Sequence, residues 1–90
     1  MKSEIDKDFI ELFNKLPTRI KIKARKNYKL WKENPWHPGL EFKKLKTKEI
    51  IYSIRVGIGW RALGVMKNND TIVWFWIGSH EEYNKLISEL

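Results

Sequence analysis

A chain of ninety residues, 42% of them apolar, suffices for one domain, expected to span residues 1–90, and folding hides only about two thirds of such a chain's surface from water. It contains no cysteine, which excludes a disulfide framework, a thiolate nucleophile and a zinc knuckle. With no long apolar run, and with charged residues from Lys2 to Asp8 crowding the start, neither a membrane span nor a secretory leader is expected, which makes the cytoplasm the default location.

The net charge of +7 sits in one third of the chain. Residues 1–16 carry three Lys against four acids, residues 17–48 carry eleven Lys and Arg against two acids, and residues 49–90 carry four against five. Like charges packed together oppose folding of the isolated chain, so such a block favours a polyanionic or acidic partner, nucleic acid first and an acidic protein second.

In chain order, Ser3 and Asp6 have the spacing of a capping box, and Ile5, Phe9, Leu12, Phe13 and Leu16 fall on one helical stripe. This predicts a helix over roughly residues 4–15, ended before Pro17 because the residue preceding proline is pushed out of the α region. A second helix starts at Pro17, with Ile20, Ala24, Tyr28 and Trp31 as its apolar stripe. Its other faces carry Arg19, Lys21, Lys23, Arg25, Lys26, Lys29 and Lys32 with no acid between them. Seven uncompensated cations read either as a solvated face or as a surface for phosphates or an acidic partner segment.

The segment Asn34-Pro35-Trp36-His37-Pro38-Gly39 reads as a rigid turn leading to an extended piece over 40–45. Lys43, Lys44, Lys46 and Lys48 continue the basic surface. Three β-branched and aromatic runs then follow: Tyr52 to Ile58, Trp60 to Met66, and Thr71 to Ile77. Hairpin signals at Gly57–Gly59 and Asn68–Asp70 separate them, the pattern of an antiparallel meander.

Alternation places Arg55 on the face that Tyr52, Ile54 and Val56 leave free. Ile72 to Ile77 is apolar throughout, so the last strand is expected to be covered on both faces, by this chain or by a partner. Ala62 and Gly64 leave room beside it, which Trp60 and Trp76 are expected to fill. Ser79 and Glu82 form a second capping-box pattern, and Tyr83, Leu86, Ile87 and Leu90 share the stripe of a closing helix. The expected fold is α+β: an N-terminal helical hairpin packed on a twisted antiparallel sheet, with a short C-terminal helix.

His37 and His80, the two histidines, lie in no metal-ligand spacing, and there is no nucleophile elbow or phosphate loop. RNA phosphodiester cleavage needs no metal and no cofactor, because the ribose 2′-hydroxyl is its own nucleophile. It asks for a base, an acid and cations for the charge that builds on the phosphate. His80, Tyr83, Arg55 and Arg61 meet those needs if they converge. Each also has an ordinary reading: solubility for the arginines, core packing for Tyr83, and a place behind a cap for His80.

The ordered pieces Leu16-Pro17, Asn34 to Leu40, Phe42-Lys43, Tyr52 to Gly57, Trp60 to Val65 and Trp74 to Tyr83 resemble the RelE/ParE toxin superfamily of type II toxin–antitoxin systems. The likeness is strongest to small HigB/RelE-like members with a Trp-Ile-Gly-Ser-His-x-x-Tyr ending. It implies a toxin neutralised by a cognate antitoxin that wraps it, and ribosome-dependent cleavage of messenger RNA. Gyrase inhibition, as in ParE-like members, and a non-catalytic binding module are the alternatives.

Carried onto this chain, the resemblance gives His80, Arg61, Arg55 and Tyr83 as catalytic candidates, with Arg61 on the scissile phosphate. Lys43, Lys44, Lys46, Lys48, Arg25 and Lys29 are the candidates for RNA binding. Many relatives open on a β-strand; residues 1–3 are too few for one, so the sheet is expected to lack an edge strand or to leave that edge open to a partner. Ser53 stands where RelE has lysine, so the division of roles is expected to differ.

Overall fold

The computed structural model describes residues 1–89. The elements in order are β1 (Lys2–Ile5), α1 (Lys7–Asn14), α2 (Thr18–Glu33), a 3-10 turn (Pro38–Leu40), β2 (Lys43–Lys44), β3 (Ile51–Gly57), β4 (Trp60–Lys67), β5 (Thr71–Ser79) and α3 (His80–Glu89). The sheet order is β1-β5-β4-β3-β2, with β2 to β5 antiparallel and β1 parallel to β5. The helical hairpin α1–α2 packs on one face of this sheet and α3 on the other.

The opening strand corrects the expectation for residues 1–5. The first helix is capped by Asp6, whose carboxylate accepts the Phe9 N–H at 2.8 Å, leaving Lys2–Ile5 free to pair with β5. Lys2 N–H donates to the Asp70 carbonyl at 3.0 Å and Asp6 N–H to that of Trp74 at 3.1 Å. Ser3, read as a cap, instead hydrogen-bonds the Tyr28 hydroxyl on α2. The expected extended piece over 40–45 is likewise shortened: Leu40 ends the 3-10 turn, Lys43–Lys44 pair with β3, and Leu45 N–H donates to the Ile51 carbonyl at 2.8 Å.

One core lies under α1 and α2 and gathers Leu16, Ile20, Trp31, Leu40, Phe42, Ile54, Val56, Ala62, Ile72, Trp74 and Ile77. Trp31 is fully buried at its centre, edge-on to Trp74 at 5.4 Å and to Phe42 at 5.8 Å. Burying an indole contributes on the order of 5 kcal/mol before ordering entropy. The Trp31 and Trp74 N–H groups have no partner among the described residues, a cost of about 1–3 kcal/mol each that the packing outweighs.

The other core joins Ile51, Leu63 and Tyr83, flanked by Phe75, Trp76, Leu86 and Ile87. Leu90, the last position of the expected stripe, lies outside the described residues. A bulge explains why β5 is apolar throughout. Leu63 pairs with Trp76 and the next residue, Gly64, with Trp74, leaving Phe75 as the extra residue. Two residues that would share a face are thereby split, Trp74 facing α1–α2 and Trp76 facing α3.

The room over Gly64 is filled by Ile72 and Trp74 rather than by Trp60 and Trp76. A Cβ built on Gly64 would stand 2.6 Å from Ile72 Cγ1 and 2.9 Å from Trp74 Cε3. Gly64→Ala is therefore expected to destabilise the fold by about 1–3 kcal/mol through overpacking. Denaturant unfolding would register this as a lower midpoint; an unchanged midpoint would contradict the packing described.

Candidate functional site

The site begins in strand register. Arg55 on β3 and Arg61 on β4 are direct cross-strand partners, so their side chains leave the same face of the sheet. Like charges placed so are mutually destabilising. The conflict is relieved by Glu41, whose Oε2 accepts from Arg55 Nη1 at 3.2 Å and whose Oε1 accepts from Arg61 Nη2 at 3.1 Å.

Glu41 reaches that point because its backbone is left-handed, with φ 46° and ψ 43°, at the end of the 3-10 turn. A non-glycine residue seldom adopts this region, and such strain tends to gather at functional sites. Pro38 starts the turn, and His37 Nδ1 accepts the Gly39 N–H at 3.1 Å.

Beyond the arginines, Ile58 and Gly59 form the hairpin tip. Gly59 takes φ 82°, which suits glycine, and its carbonyl accepts the His80 N–H at 2.7 Å, fastening the start of α3 to the hairpin. Ser79 caps α3, its hydroxyl accepting the Glu82 N–H at 3.1 Å while Glu82 Oε1 accepts the Ser79 N–H at 3.0 Å. The Ser79 N–H foremost, and the Ser79 hydroxyl, which donates to the same Glu82 oxygen at 2.9 Å, hold the Glu82 carboxyl below the usual carboxylate range.

The result is an open cleft of about 390 Å³ lined by Glu41, Arg55, Gly57, Ile58, Gly59, Trp60, Arg61 and His80. His80 is exposed at its rim, and Ile58, 88% exposed, forms its lip. Arg61 is sunk to 12% side-chain exposure, with its guanidinium carbon 5.7 Å from the centre of the Tyr83 ring. Its Nη1 has no hydrogen-bond partner among the described residues. One carboxylate and one ring face leave this guanidinium short of acceptors.

Three of the four catalytic candidates thus line one cleft. Tyr83 does not: it is buried beneath Arg61, its ring 5.8 Å from that of His80 and 6.5 Å from that of Trp76. Ser53 is also fully buried, its hydroxyl without a partner among the described residues.

The basic candidates divide among separate places. Lys43 pairs with Ser53, two residues before Arg55, and so lies on the cleft's face; Lys44 pairs with Tyr52 on the other face. Lys44, Lys46 and Lys48 border a shallow hollow of about 600 Å³. Arg25 lies over the Phe13 ring at 5.0 Å and edges a groove of about 230 Å³ formed by Ile5, Phe9, Ile10, Phe13, Ala24 and Tyr28. Lys29 is exposed on α2 and lines neither the cleft nor the groove. Among the described residues no cluster of three His, Asp or Glu is placed to hold a metal ion, and no helix is long and apolar enough to cross a membrane.

Sequence reasoning missed Glu41 and Lys23. Glu41 was legible only as one of two acids in the basic third of the chain. Lys23, one of seven cations on α2, approaches Gly57 and lines an adjoining cleft that shares Arg55, Gly57 and Ile58.

A family model described as the ParE-like toxin domain matches residues 18–85. The chain belongs to that family. The matched span of this ParE-like toxin domain runs from the start of α2 into α3 and so contains every residue lining the cleft.

The fold is similar to that of a chain in the archaeal RelE–RelB complex from Pyrococcus horikoshii, with a TM-score of 0.69 and 16% identity over 88% of this chain and 93% of that one. A chain of the RelB–RelE antitoxin–toxin complex from Methanococcus jannaschii gives 0.67 and 23% over 92% and 96%. The isolated RelE toxin of E. coli gives 0.66 and 16% over 98% and 96%. No curated protein matches the sequence.

The two arginines, Arg61 foremost through its hydrogen bond, hold the Glu41 carboxyl below its ordinary 4.5. A depressed carboxyl stabilises the fold above that ordinary value, and the contribution is lost as pH falls through the lower folded value. NMR titration of the Glu41 carboxyl carbon is expected to show Arg61→Ala returning it towards 4.5 further than Arg55→Ala does. An unmoved titration in both variants would contradict the bridge.

Proposed function

We propose that the chain is the toxin of a type II toxin–antitoxin pair, a HigB/RelE-like member that cuts messenger RNA on the ribosome without a metal ion. The observation that carries this reading is the Glu41 carboxylate gripped by one guanidinium on each oxygen in an open cleft that also holds an exposed imidazole. A pair of arginines that grips a carboxylate this way also suits two oxygens of a phosphodiester.

In this reading the phosphate displaces Glu41 and lies on Arg55 and Arg61. The ribose 2′ oxygen attacks the phosphorus, and the bond to the 5′ oxygen breaks. His80 takes the 2′ proton, and water from the open side protonates the leaving oxygen. The products are a 2′,3′-cyclic phosphate and a 5′-hydroxyl end. The arginines offset the charge that grows on the phosphate. Tyr83 acts through Arg61 as a positioning residue, its ring face holding the guanidinium in place.

Lys43 extends the cationic surface along the message, and Lys44, Lys46 and Lys48 meet RNA backbone beyond it. The cognate antitoxin occupies the groove between α1 and α2, where Arg25 suits an acidic segment; Lys29, exposed on α2, is a further RNA contact. Support for such a partner comes from the related folds solved as RelE–RelB complexes.

Expression without the antitoxin is expected to arrest growth, with translated messages cut in primer extension. Arg61→Ala is expected to reduce cutting by roughly 10²-fold or more and His80→Ala by roughly 10²- to 10⁴-fold, each relieving the arrest while the circular dichroism spectrum is unchanged. Intact messages together with lost DNA supercoiling would overturn the nuclease reading in favour of gyrase inhibition. No arrest at all would leave a binding module.

A further inference from the structure

We propose that Trp36 is a stacking platform for an unpaired base of the RNA strand whose phosphate lies on Arg55 and Arg61; this rests on the RNA reading above. Trp36 is 61% exposed yet not loosely attached. Its ring packs against Phe42 at 4.9 Å and Tyr52 at 6.4 Å, and Phe42 and Tyr52 stack on each other at 4.7 Å. Phe42 in turn meets buried Trp31, so a line of rings anchors the exposed indole to the core. Its loop is braced by the His37 N–H on the Asn34 carbonyl at 3.1 Å and the Leu40 N–H on the His37 carbonyl at 3.0 Å. A rigid, solvent-facing indole is the surface on which bases stack irrespective of sequence.

Its position relative to the cleft selects a nucleotide as the occupant. Glu41 and Phe42 are consecutive residues, about 3.8 Å apart along the chain; the first reaches both arginines and the second supports Trp36. The two-residue edge strand β2 follows at once, with Lys43 on the cleft's face and Lys44 on the face of Tyr52. A single strand leaving the arginine pair over this edge meets one lysine on each side and then an exposed ring. Cations alternating with an aromatic platform fit a single-stranded polyanion with flat bases.

The test is binding of a short, uncleavable 2′-O-methyl oligoribonucleotide, followed by fluorescence anisotropy. Trp36→Ala is expected to weaken binding by roughly five- to a hundred-fold, the range for one lost base–aromatic stack, while Trp36→Phe keeps most of it. An abasic nucleotide at one position is expected to weaken the native chain and to add nothing in Trp36→Ala. Unchanged thermal unfolding of Trp36→Phe guards against a folding defect.

Native affinity in Trp36→Ala alongside weakened binding in Arg61→Ala would overturn the platform and leave the cleft's RNA reading standing. Undiminished affinity in both would remove both. Undiminished RNA affinity with a weakened antitoxin complex would overturn the platform by giving Trp36 to the protein partner.

Discussion

Two guanidinium groups forced side by side by strand pairing are the constraint on which the rest of this structure depends. Arg55 and Arg61 face each other across β3 and β4, and Arg61 is largely withdrawn from water. Such a pair needs negative charge close by. The chain provides it with one carboxylate, Glu41, delivered by a left-handed residue at the end of a proline-started turn. In the proposed reaction the scissile phosphate enters this site by exchange with that resident anion.

Several unrelated local features converge on this arrangement. The hairpin tip accepts the first N–H of α3 and so sets His80 beside the arginines. The bulge at Phe75 turns Trp76 towards α3, where it packs with Tyr83, the ring beneath Arg61. The helical hairpin reaches the same place from the opposite side of the sheet, Asn27 donating to the Arg55 carbonyl at 3.1 Å. Both cores thus brace the arginine pair, each from its own face.

Much of this was legible in the residues. The meander, the Ser79–Glu82 cap and the amphipathic α2 follow from local pattern, because each rests on neighbours in sequence. The strand β1 was not legible: its four residues are held by distant partners, chiefly a parallel strand some seventy positions away, and Ser3 imitates the cap that Asp6 provides. Alternation placed Arg55 on the correct face, yet Glu41 stayed hidden, since nothing local marks a glutamate that will turn left-handed. Trp76 escapes simple alternation because the bulge at Phe75 changes the face it takes. Tyr83 carried two readings on one helical stripe, and only tertiary packing shows it beneath Arg61.

The proposed cleavage requires exchange of one anion for another at the arginine pair. Its most direct measurement is a crystal structure of the chain bound to an uncleavable RNA strand. The expected result is a backbone phosphate about 3 Å from the Nη atoms of Arg55 and Arg61, with the Glu41 carboxylate swung away. RNA bound elsewhere, with Glu41 still bridging both arginines, would contradict it.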